Sequence, residues 1–501
     1  MASRVPARPP GASPYPGVLA LLLVVSVFVA AGCQAGDAPS LREGGAGEAV
    51  GAEEAETGSA ADEAATGEAD VVPREVPGGE VEQPPAPAGT GAGPTEERPE
   101  RPPPPPVEIP DGGERPRFER PEHVRGVYLN AWTAGSSRRV RQLLDLARRT
   151  EINTFVIDLK DASGFVSYTT GLEEARAAGA VGEIRIHDLP GLLRRLEAEG
   201  IYPIARIVVV KDPILVAAHP DWAVQDTAGG VWVDSKGIRW LNPFDPRVQD
   251  YHLALAREAV ALGFPEIQWD YVRFPDAPRS ELERASYPGR DGRPRPEAIR
   301  AFLERGHEEL GRVGAVVTAD VFGVTTSARD VGIGQIWEEL IDAVDVALPM
   351  VYPSHYYRGS FGFERPNAYP YEVVKHALDR ALQRSARVEG AGATRPWLQD
   401  FSLGEPDYGA PEVRAQIQAA YDAGIDEWLL WNPASRFTEA ALEPVGGWSE
   451  EPRVRVAGRV VPVSERHRAL RMSEAEQEED SVSPPDTTSG GGTGPPSALR
   501  R

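Results

Sequence analysis

Two aspartates follow apolar, strand-like segments, and this position makes their carboxyl groups candidates for catalysis. Asp270 follows the run Ile267-Gln268-Trp269, and Asp320 follows the run Val316-Val317-Thr318-Ala319. A charge at the end of a core strand is costly to bury unless it is paired or used. If the two strands are neighbours, the two carboxyl groups lie within several ångströms of each other. Paired carboxylates suit glycoside hydrolysis, in which one carboxylic acid protonates the leaving oxygen and the other attacks the anomeric carbon or activates water.

These two groups can be given roles as hypotheses. Asp270 is predicted to be the nucleophile, and Asp320 the acid/base, of a retaining glycoside hydrolase. The alternative is that both aspartates are structural and form ion pairs with Arg206, Arg273 or Lys160. A non-catalytic barrel that binds glycans or serves as an envelope scaffold is the corresponding alternative for the whole protein.

Other polar residues near predicted strand ends are candidates for binding the substrate. Arg206 and Arg273 are expected to orient Asp270 and keep it ionised. Asp158 is expected to pair with Lys160 or to bind a sugar hydroxyl. The candidates for direct contacts with sugar hydroxyls are Lys160, Tyr352, His355 and Gln399.

Aromatic residues occur in the segments that would surround these polar groups. Trp222 and Trp240 lie in a long insertion after the third predicted strand, and Trp431 ends the eighth. Aromatic faces stack on the apolar faces of pyranose rings, so these three side chains are predicted to bind sugar. The alternative for Trp222 and Trp240 is that they pack the insertion onto the body of the protein.

Several other chemistries lack their motifs in this sequence. There is no G-x-S-x-G sequence, and the single cysteine, Cys33, precedes the folded body. The eight histidines show neither H-E-x-x-H nor H-x-H spacing. Asp221, Asp226 and Asp234 do not have the spacing of an EF-hand loop. The sequence therefore predicts a site that uses no metal and no cofactor.

The elements that must position these residues alternate along residues 118–447. Apolar runs predict strands at 124–129, 154–159, 202–209, 266–271, 315–321, 345–351, 396–401 and 427–431. Amphipathic segments predict helices at 137–150, 189–199, 246–262, 295–313, 371–387 and 410–423. Eight strands with helices between them favour an α/β fold, a (β/α)8 TIM barrel. A doubly wound open sheet is the alternative, disfavoured because no G-x-G-x-x-G sequence follows the first strand.

A barrel of this kind carries its catalytic groups at the C-terminal ends of the strands. Period-two alternation places Asp158 and Lys160 on one face of their strand, and Gln268 and Asp270 on one face of theirs. Polar side chains from several strands are therefore predicted to converge on one mouth.

The two ends of the chain have compositions that cannot support a packed core. Residues 1–33 combine early arginines with an apolar run and predict a signal peptide, and Ala30-Ala31-Gly32-Cys33 resembles the lipobox of bacterial lipoproteins. We expect lipidation at Cys33, export, and anchoring to the cell membrane or envelope. Residues 34–117 predict a disordered linker rich in Pro, Ala and Glu, and residues 448–501 a short β-element and a disordered tail. The net charge of −23 argues against nucleic acid as a partner, because its backbone would be repelled.

Several of these segments together resemble a known protein family. They are Arg125-Gly126-Val127-Tyr128-Leu129, Phe155-Val156-Ile157-Asp158-Leu159-Lys160-Asp161, Pro203-Ile204-Ala205-Arg206-Ile207, Trp269-Asp270-Tyr271-Val272-Arg273-Phe274-Pro275, Ala347-Leu348-Pro349-Met350-Val351-Tyr352-Pro353 and Trp428-Leu429-Leu430-Trp431-Asn432. The set is similar to the family called "putative glycosyl hydrolase domain", itself similar to barrel glycosidases of the alpha-amylase and alpha-galactosidase group.

The resemblance covers about 124–433 and implies a (β/α)8 barrel that acts on an extracellular polysaccharide. In the related glycosidases the nucleophile ends the fourth strand, which corresponds to Asp270. In the amylase-like branch the acid ends the fifth strand, which corresponds to Asp320, although that acid is usually a glutamate.

Overall fold

The computed structural model describes residues 115–482, together with 105, 106 and 108. Within this part of the chain, eight parallel strands form a closed barrel. The strands are β1 Arg125–Leu129, β2 Thr154–Lys160, β3 Tyr202–Val208, β4 Glu266–Asp270, β5 Val316–Phe322, β6 Val346–Met350, β7 Trp397–Gln399 and β8 Trp428–Trp431. The predicted strands are confirmed, with boundaries shifted by one or two residues, and so is the predicted TIM barrel.

Six amphipathic helices run between these strands, and all six were predicted. They are α1 Ser137–Arg149, α2 Leu189–Ala198, α3 Pro246–Leu262, α4 Arg295–Gly311, α5 Pro370–Ser385 and α6 Ala410–Asp422. Side chains that precede the helices fix where several of them begin. Asp188 accepts a hydrogen bond from the Gly191 amide at 2.8 Å, and Asp245 accepts one from the Arg247 amide at 2.9 Å. Each of these N-caps is followed by a proline in the first turn, where its missing N–H costs nothing.

Shorter elements fill the connections. The short helices are Ala131–Ala134, Glu173–Ala177, Pro213–Ala218, Arg279–Leu282 and Trp337–Leu340, and the 3₁₀ turns are Pro220–Trp222, Gly323–Thr326, Pro353–His355, Ser360–Gly362, Pro366–Ala368, Glu439–Ala441 and Val463–Glu465. The two-residue strands Gln225–Asp226 and Ala285–Ser286 pair with each other and join the insertion after β3 to the loop after β4.

Beyond the barrel, Arg453–Val456 and Arg459–Pro462 form an antiparallel hairpin, where the sequence predicted a short β-element. A last helix, Arg466–Val482, continues past Met472, where the composition predicted a tail. No helix in the described part of the chain is both long and apolar enough to cross a membrane. The predicted signal peptide with Cys33, nearly all of the 34–117 linker and residues 483–501 lie outside the described residues.

The barrel wall separates two apolar layers. The outer layer lies between the strands and the helices and holds most of the core. The inner layer is small and consists of Val124, Tyr128, Val156, Tyr202, Ile204, Val346, Leu348, Tyr352, Trp397, Phe401 and Leu429. These side chains fill the barrel, so it is a packed core and not a pore. Polar groups inside the barrel therefore lie at its two ends and not in the middle.

A β-bulge near the end of β2 reverses the direction of one candidate side chain. Asp158 lies opposite Arg206 of β3, but Lys160 lies opposite Ile207, so the register shifts between them. One extra residue inverts the alternation of faces, and Ile207 belongs to the outer apolar layer. Lys160 therefore faces the helices while Asp158 faces the barrel interior. The prediction that these two residues share a face is wrong.

A buried ionic cluster closes the opposite end of the barrel. Arg395 pairs with Glu266, the first residue of β4, at 2.7 Å, and with Glu427 at 2.9 Å. Arg395 and Glu266 are both fully buried. Removal of one partner from such a pair leaves an uncompensated charge in a medium of low polarity.

We predict that Arg395→Met lowers the free energy of unfolding by about 3–5 kcal/mol, because Glu266 loses its cation. Urea denaturation followed by tryptophan fluorescence measures this loss. Arg149→Met is the matched control: Arg149 and its partner Glu439 are largely exposed, and such pairs contribute at most about 1 kcal/mol. Equal losses in the two variants would contradict the assignment.

Candidate active site

One guanidinium, that of Arg206 on β3, lies at the centre of the polar side chains inside the barrel. Its Nη1 donates to Asp158 on β2, and its Nε donates to Oδ2 of Asp270 at 3.0 Å. The same Nε lies 3.9 Å from Oδ2 of Asp320 on β5. All four residues are buried. The structure therefore brings Asp270 and Asp320 together, as predicted, and adds Asp158 to the same cluster.

Asp270 is held by backbone as well as by Arg206. Its Oδ1 accepts a hydrogen bond from the Tyr271 amide at 2.6 Å. Tyr271 has a φ of +50°, a left-handed conformation that costs a residue with a Cβ about 1–2 kcal/mol. Strained backbone of this kind is concentrated at functional sites. The turn directs an N–H group at the carboxylate and leaves Asp270 oriented at the end of its strand.

Asp320 lies deeper and accepts hydrogen bonds on both oxygens. Gln268 Nε2 donates to its two oxygens at 3.0 and 2.8 Å, and Trp397 Nε1 donates to Oδ1 at 2.7 Å. The residue is only 3% exposed. Burial raises the pKa of Asp320 well above its usual range, and the charge of Asp270 raises it further. The surroundings of Asp320 thus favour its protonated form.

Asp158 has a different partner from the one expected. The Tyr128 hydroxyl and Arg206 both donate to it, and burial raises its pKa to about 6 in spite of the neighbouring guanidinium. Lys160 instead donates to the Val208 carbonyl at 2.7 Å and pairs with Asp212 at 2.9 Å, fully buried on the helix side of β2. The expected Asp158–Lys160 pair is absent from the part of the chain that the structure describes, and Lys160 cannot reach a ligand in the mouth.

Trp431 forms an aromatic wall beside the cluster. Its ring stacks on that of Tyr128 with centroids 3.9 Å apart, and it meets Trp397 edge-on at 5.5 Å. The Arg206 guanidinium lies 5.1 Å from the centroid of the same ring. Trp431 is partly exposed, so it can offer a surface to a sugar ring directly above the carboxylates.

Trp222 and Trp240 are buried in the insertion after β3. Trp222 stacks on His219 with centroids 4.1 Å apart, and Trp240 donates to Asp234 at 3.1 Å. They are only 9% and 2% exposed, which leaves little surface for a sugar. Both side chains therefore pack the insertion onto the barrel, as the alternative interpretation of the sequence had it.

Arg273 does not orient Asp270. Its Nη1 donates to the Phe274 carbonyl at 3.0 Å, and its guanidinium lies among the rings of Trp240, Tyr271 and Phe322. Of the two arginines expected to hold Asp270, only Arg206 does so.

The three remaining candidates from β6 and β7 divide into two groups. Tyr352 lies near the cluster, where burial and the charges of Asp320 and Asp270 raise its pKa, so its hydroxyl keeps its proton. His355 is exposed beside it, with ring centroids 5.3 Å apart. Gln399 is fully buried and its side chain binds backbone: it accepts from the Ser354 amide at 3.1 Å and donates to the Phe401 carbonyl at 2.9 Å. Tyr352 and His355 can face a ligand, whereas Gln399 ties two loops together.

Sequence reasoning missed several groups of the site. Tyr128 and Trp397 bind Asp158 and Asp320, yet both resemble ordinary core aromatics in the sequence. Their positions on the inner faces of β1 and β7 become evident only from the register of the strands. Trp132 lies just after β1 and is 56% exposed, an unusual exposure for a tryptophan near the mouth. Among the described residues, no group of three or more His, Cys, Asp or Glu side chains is arranged to hold a metal ion.

The sequence matches a family model over residues 126–437, described as "putative glycosyl hydrolase domain". The chain belongs to this family. The match spans more than half of the chain and contains all eight strands except the first residue of β1, so the family domain is the barrel itself. No curated protein shows significant sequence similarity to the chain.

Solved structures similar to the family domain include a hypothetical protein from Ruminiclostridium thermocellum, 37% identical over 39% of this chain and 97% of its own, with a TM-score of 0.36. The PgaB (BpsB) glycoside hydrolase domain from Bordetella bronchiseptica is 13% identical over 63% of this chain and 95% of its own, with a TM-score of 0.44. An alpha-galactosidase from Thermus thermophilus is 15% identical over 64% of this chain and 60% of its own, with a TM-score of 0.39.

The carboxylate cluster predicts a pH-dependent effect of removing Arg206. At pH 8, Arg206→Gln is expected to lower the free energy of unfolding by about 3–5 kcal/mol, because buried carboxylates lose their cation. At pH 5 the loss is expected to be smaller, since Asp158, with a pKa of about 6, is then largely protonated.

Chemical denaturation at the two pH values measures the difference. Arg149→Gln, on the surface, is the control and should show no such change between pH 5 and pH 8. A loss at Arg206 that is independent of pH would contradict the electrostatic account.

Proposed function

We propose that this protein is a glycoside hydrolase that cleaves an extracellular or cell-envelope polysaccharide by a two-carboxylate mechanism. The observation that carries the proposal is the approach of Asp270 and Asp320 to the same Arg206 nitrogen, at 3.0 and 3.9 Å. Their Oδ2 atoms can be no farther apart than the sum of these distances. The two catalytic carboxyl groups are separated by ~5–5.5 Å in retaining enzymes and by ~6.5–9.5 Å in inverting enzymes. The upper limit found here allows the first separation and only the smallest values of the second.

The environments of the two carboxyls favour opposite roles. Asp270 accepts hydrogen bonds from Arg206 and from the Tyr271 amide, which stabilise an ionised nucleophile. Asp320 is deeply buried beside that negative charge, which raises its pKa and so favours the protonated form that a general acid requires. Two neighbouring carboxyls in different environments are the usual basis for such a division of roles.

Several side chains are available to bind the sugar above these groups. Trp431 is a partly exposed aromatic side chain, the Tyr352 hydroxyl can donate a hydrogen bond, and His355 is exposed at the edge of the mouth. We assign these three to the substrate. Arg206 acts as a positioning residue, because it contacts the carboxylates and not the mouth.

Asp270→Asn is expected to abolish the release of new reducing ends from a polysaccharide that the wild-type chain cleaves, because the amide cannot form the glycosyl intermediate. Asp320→Asn is expected to lower kcat by ~10²–10⁴-fold, with the smallest loss on aryl glycosides, whose leaving groups need little protonation. The measurement is a reducing-end assay of the full-length chain against a panel of polysaccharides and aryl glycosides.

Asp276→Asn, a loop substitution near Tyr357, is the control and should leave turnover unchanged. Circular dichroism checks that each variant is folded. Full activity in Asp270→Asn would reject the assignment of the nucleophile.

A second function has one observation in its favour. Asp320 is 3% exposed and both its oxygens already accept hydrogen bonds, an arrangement that also suits a barrel that binds glycans without cleaving them. If wild type and the double variant Asp270→Asn/Asp320→Asn bind a glycan equally and neither cleaves it, the non-catalytic function is the correct one.

We also propose that the protein is exported and held at the cell membrane or envelope by a lipid on Cys33. The apolar run before Ala30-Ala31-Gly32-Cys33 supports this proposal. In a bacterial host fed a labelled fatty acid, the wild-type chain is expected to carry label and to sediment with membranes. Cys33→Ser is expected to lose the label. Label retained by that variant would contradict the proposal.

A further inference from the structure

Arg273 is a buried cation with no carboxylate partner among the described residues. In the part of the chain that the structure describes, five arginines are buried: Arg185, Arg206, Arg273, Arg395 and Arg414. Four of them form ion pairs, with Asp161, Asp158, Glu266 and Glu151 respectively. Arg273 alone among these five lies within 4 Å of no described carboxylate oxygen, and its one hydrogen bond is to the Phe274 carbonyl. Burial of a charge without a counter-charge is costly, so this position calls for an explanation.

Three aromatic rings surround the guanidinium. Its central carbon lies 4.6 Å from the ring centroid of Phe322, 4.9 Å from that of Tyr271 and 5.0 Å from that of Trp240. Such contacts offset part of the cost of removing the cation from water, at about 0.5–2 kcal/mol each. They also fix the plane of the guanidinium. Its Nε and Nη2 have no hydrogen-bond partner among the described residues, and the residue as a whole is 8% exposed.

This guanidinium stands next to the proposed catalytic pair. Phe322 is two residues beyond Asp320 on β5, so both side chains are on the same face and about 7 Å apart along the strand. Tyr271 directly follows Asp270. Arg273 therefore lies one layer above the carboxylates, at the side of the mouth. Lys211 brings a second positive charge to this side, with its Nζ 5.2 Å from the Tyr271 ring centroid.

We propose that Arg273 binds an oxyanion of the substrate, so that the glycan cleaved by this barrel is acidic. The planar fork of a guanidinium matches a carboxylate, and equally a sulfate or phosphate ester, through two parallel hydrogen bonds. Arg206 cannot serve this purpose, because Asp158 and Asp270 already occupy it. An acidic sugar that enters a mouth with three aspartates below it needs a separate cation, and Arg273 supplies that charge. This inference rests on the proposed hydrolase function.

The test compares an acidic polysaccharide with its own neutral form. The full-length chain is assayed on a uronic acid polymer and on the same polymer after reduction of its carboxyl groups, and in parallel on sulfated and phosphate-bearing glycans with their desulfated and dephosphorylated forms. The wild-type kcat/KM is expected to be at least ~10-fold higher on one acidic form than on its neutral counterpart. The pair that shows this preference identifies the oxyanion.

Arg273→Gln is expected to lose ~10–100-fold in kcat/KM on that acidic form, mainly through KM, and to change little on the neutral one. Arg273→Lys is expected to recover part of the loss, since it keeps the charge without the fork. Arg295→Gln is the matched control: Arg295 also packs on aromatic rings, those of Phe274 and Tyr287, and should leave both activities unchanged.

A packing role for Arg273 has a different signature. It would lower activity on the acidic and neutral forms equally and reduce the melting temperature, and that result would overturn the inference while the hydrolase function stands. If the wild-type chain cleaves none of the glycans, the hydrolase function fails, and binding decides the inference separately. Selective binding of an acidic polymer that Arg273→Gln abolishes would support it, and equal binding of both forms would overturn it.

Discussion

The contact between Arg206 and the carboxylates around it is the interaction on which the site depends. Three acidic side chains from β2, β4 and β5 converge inside a closed barrel, where like charges repel strongly because little water screens them. One guanidinium from β3 lies between them, donates to Asp158 and Asp270 and approaches Asp320. The cation offsets the repulsion among these buried carboxylates, and burial within the cluster raises the pKa of Asp320 well above its usual range.

The packing of the barrel explains why this cluster lies at one end. Apolar side chains fill the middle of the interior, and the ion pair of Arg395 with Glu266 closes the other end. The carboxylate cluster therefore lies at the C-terminal ends of the strands, away from this ion pair. At that end the insertion after β3 and the loop after β6 form the rim, so the barrel supplies a rigid base and the loops supply the surroundings.

The sequence allowed most of the fold to be predicted, because the strands and the main helices follow simple periodicities. It also predicted that Asp270 and Asp320 lie close together, although Asp320 lies inside β5, two residues before its end, and does not end the strand. The failures have local physical causes. A single extra residue in β2 turned Lys160 to the other side of the sheet, and alternation alone cannot reveal a bulge. Arg206 and Arg273 were both expected to hold Asp270, but only Arg206, on β3, meets it. Arg273 follows the left-handed turn at Tyr271 and lies among aromatic rings, and the sequence does not reveal that turn.

Pro396 has a further consequence for the wall of the barrel. It divides the strand beside β6 into the short piece Ala393–Thr394 and β7, because proline has no N–H to donate to a ladder. β6 and β7 themselves share a single register pair, Met350 with Trp397, and the Gln399 side chain ties the two chain segments above it. The closed sheet therefore has fewer paired residues between β6 and β7 than between its other neighbouring strands. We expect local opening of the barrel to cost least free energy between these two strands, so that the loop that carries Tyr352 opens before the rest of the sheet.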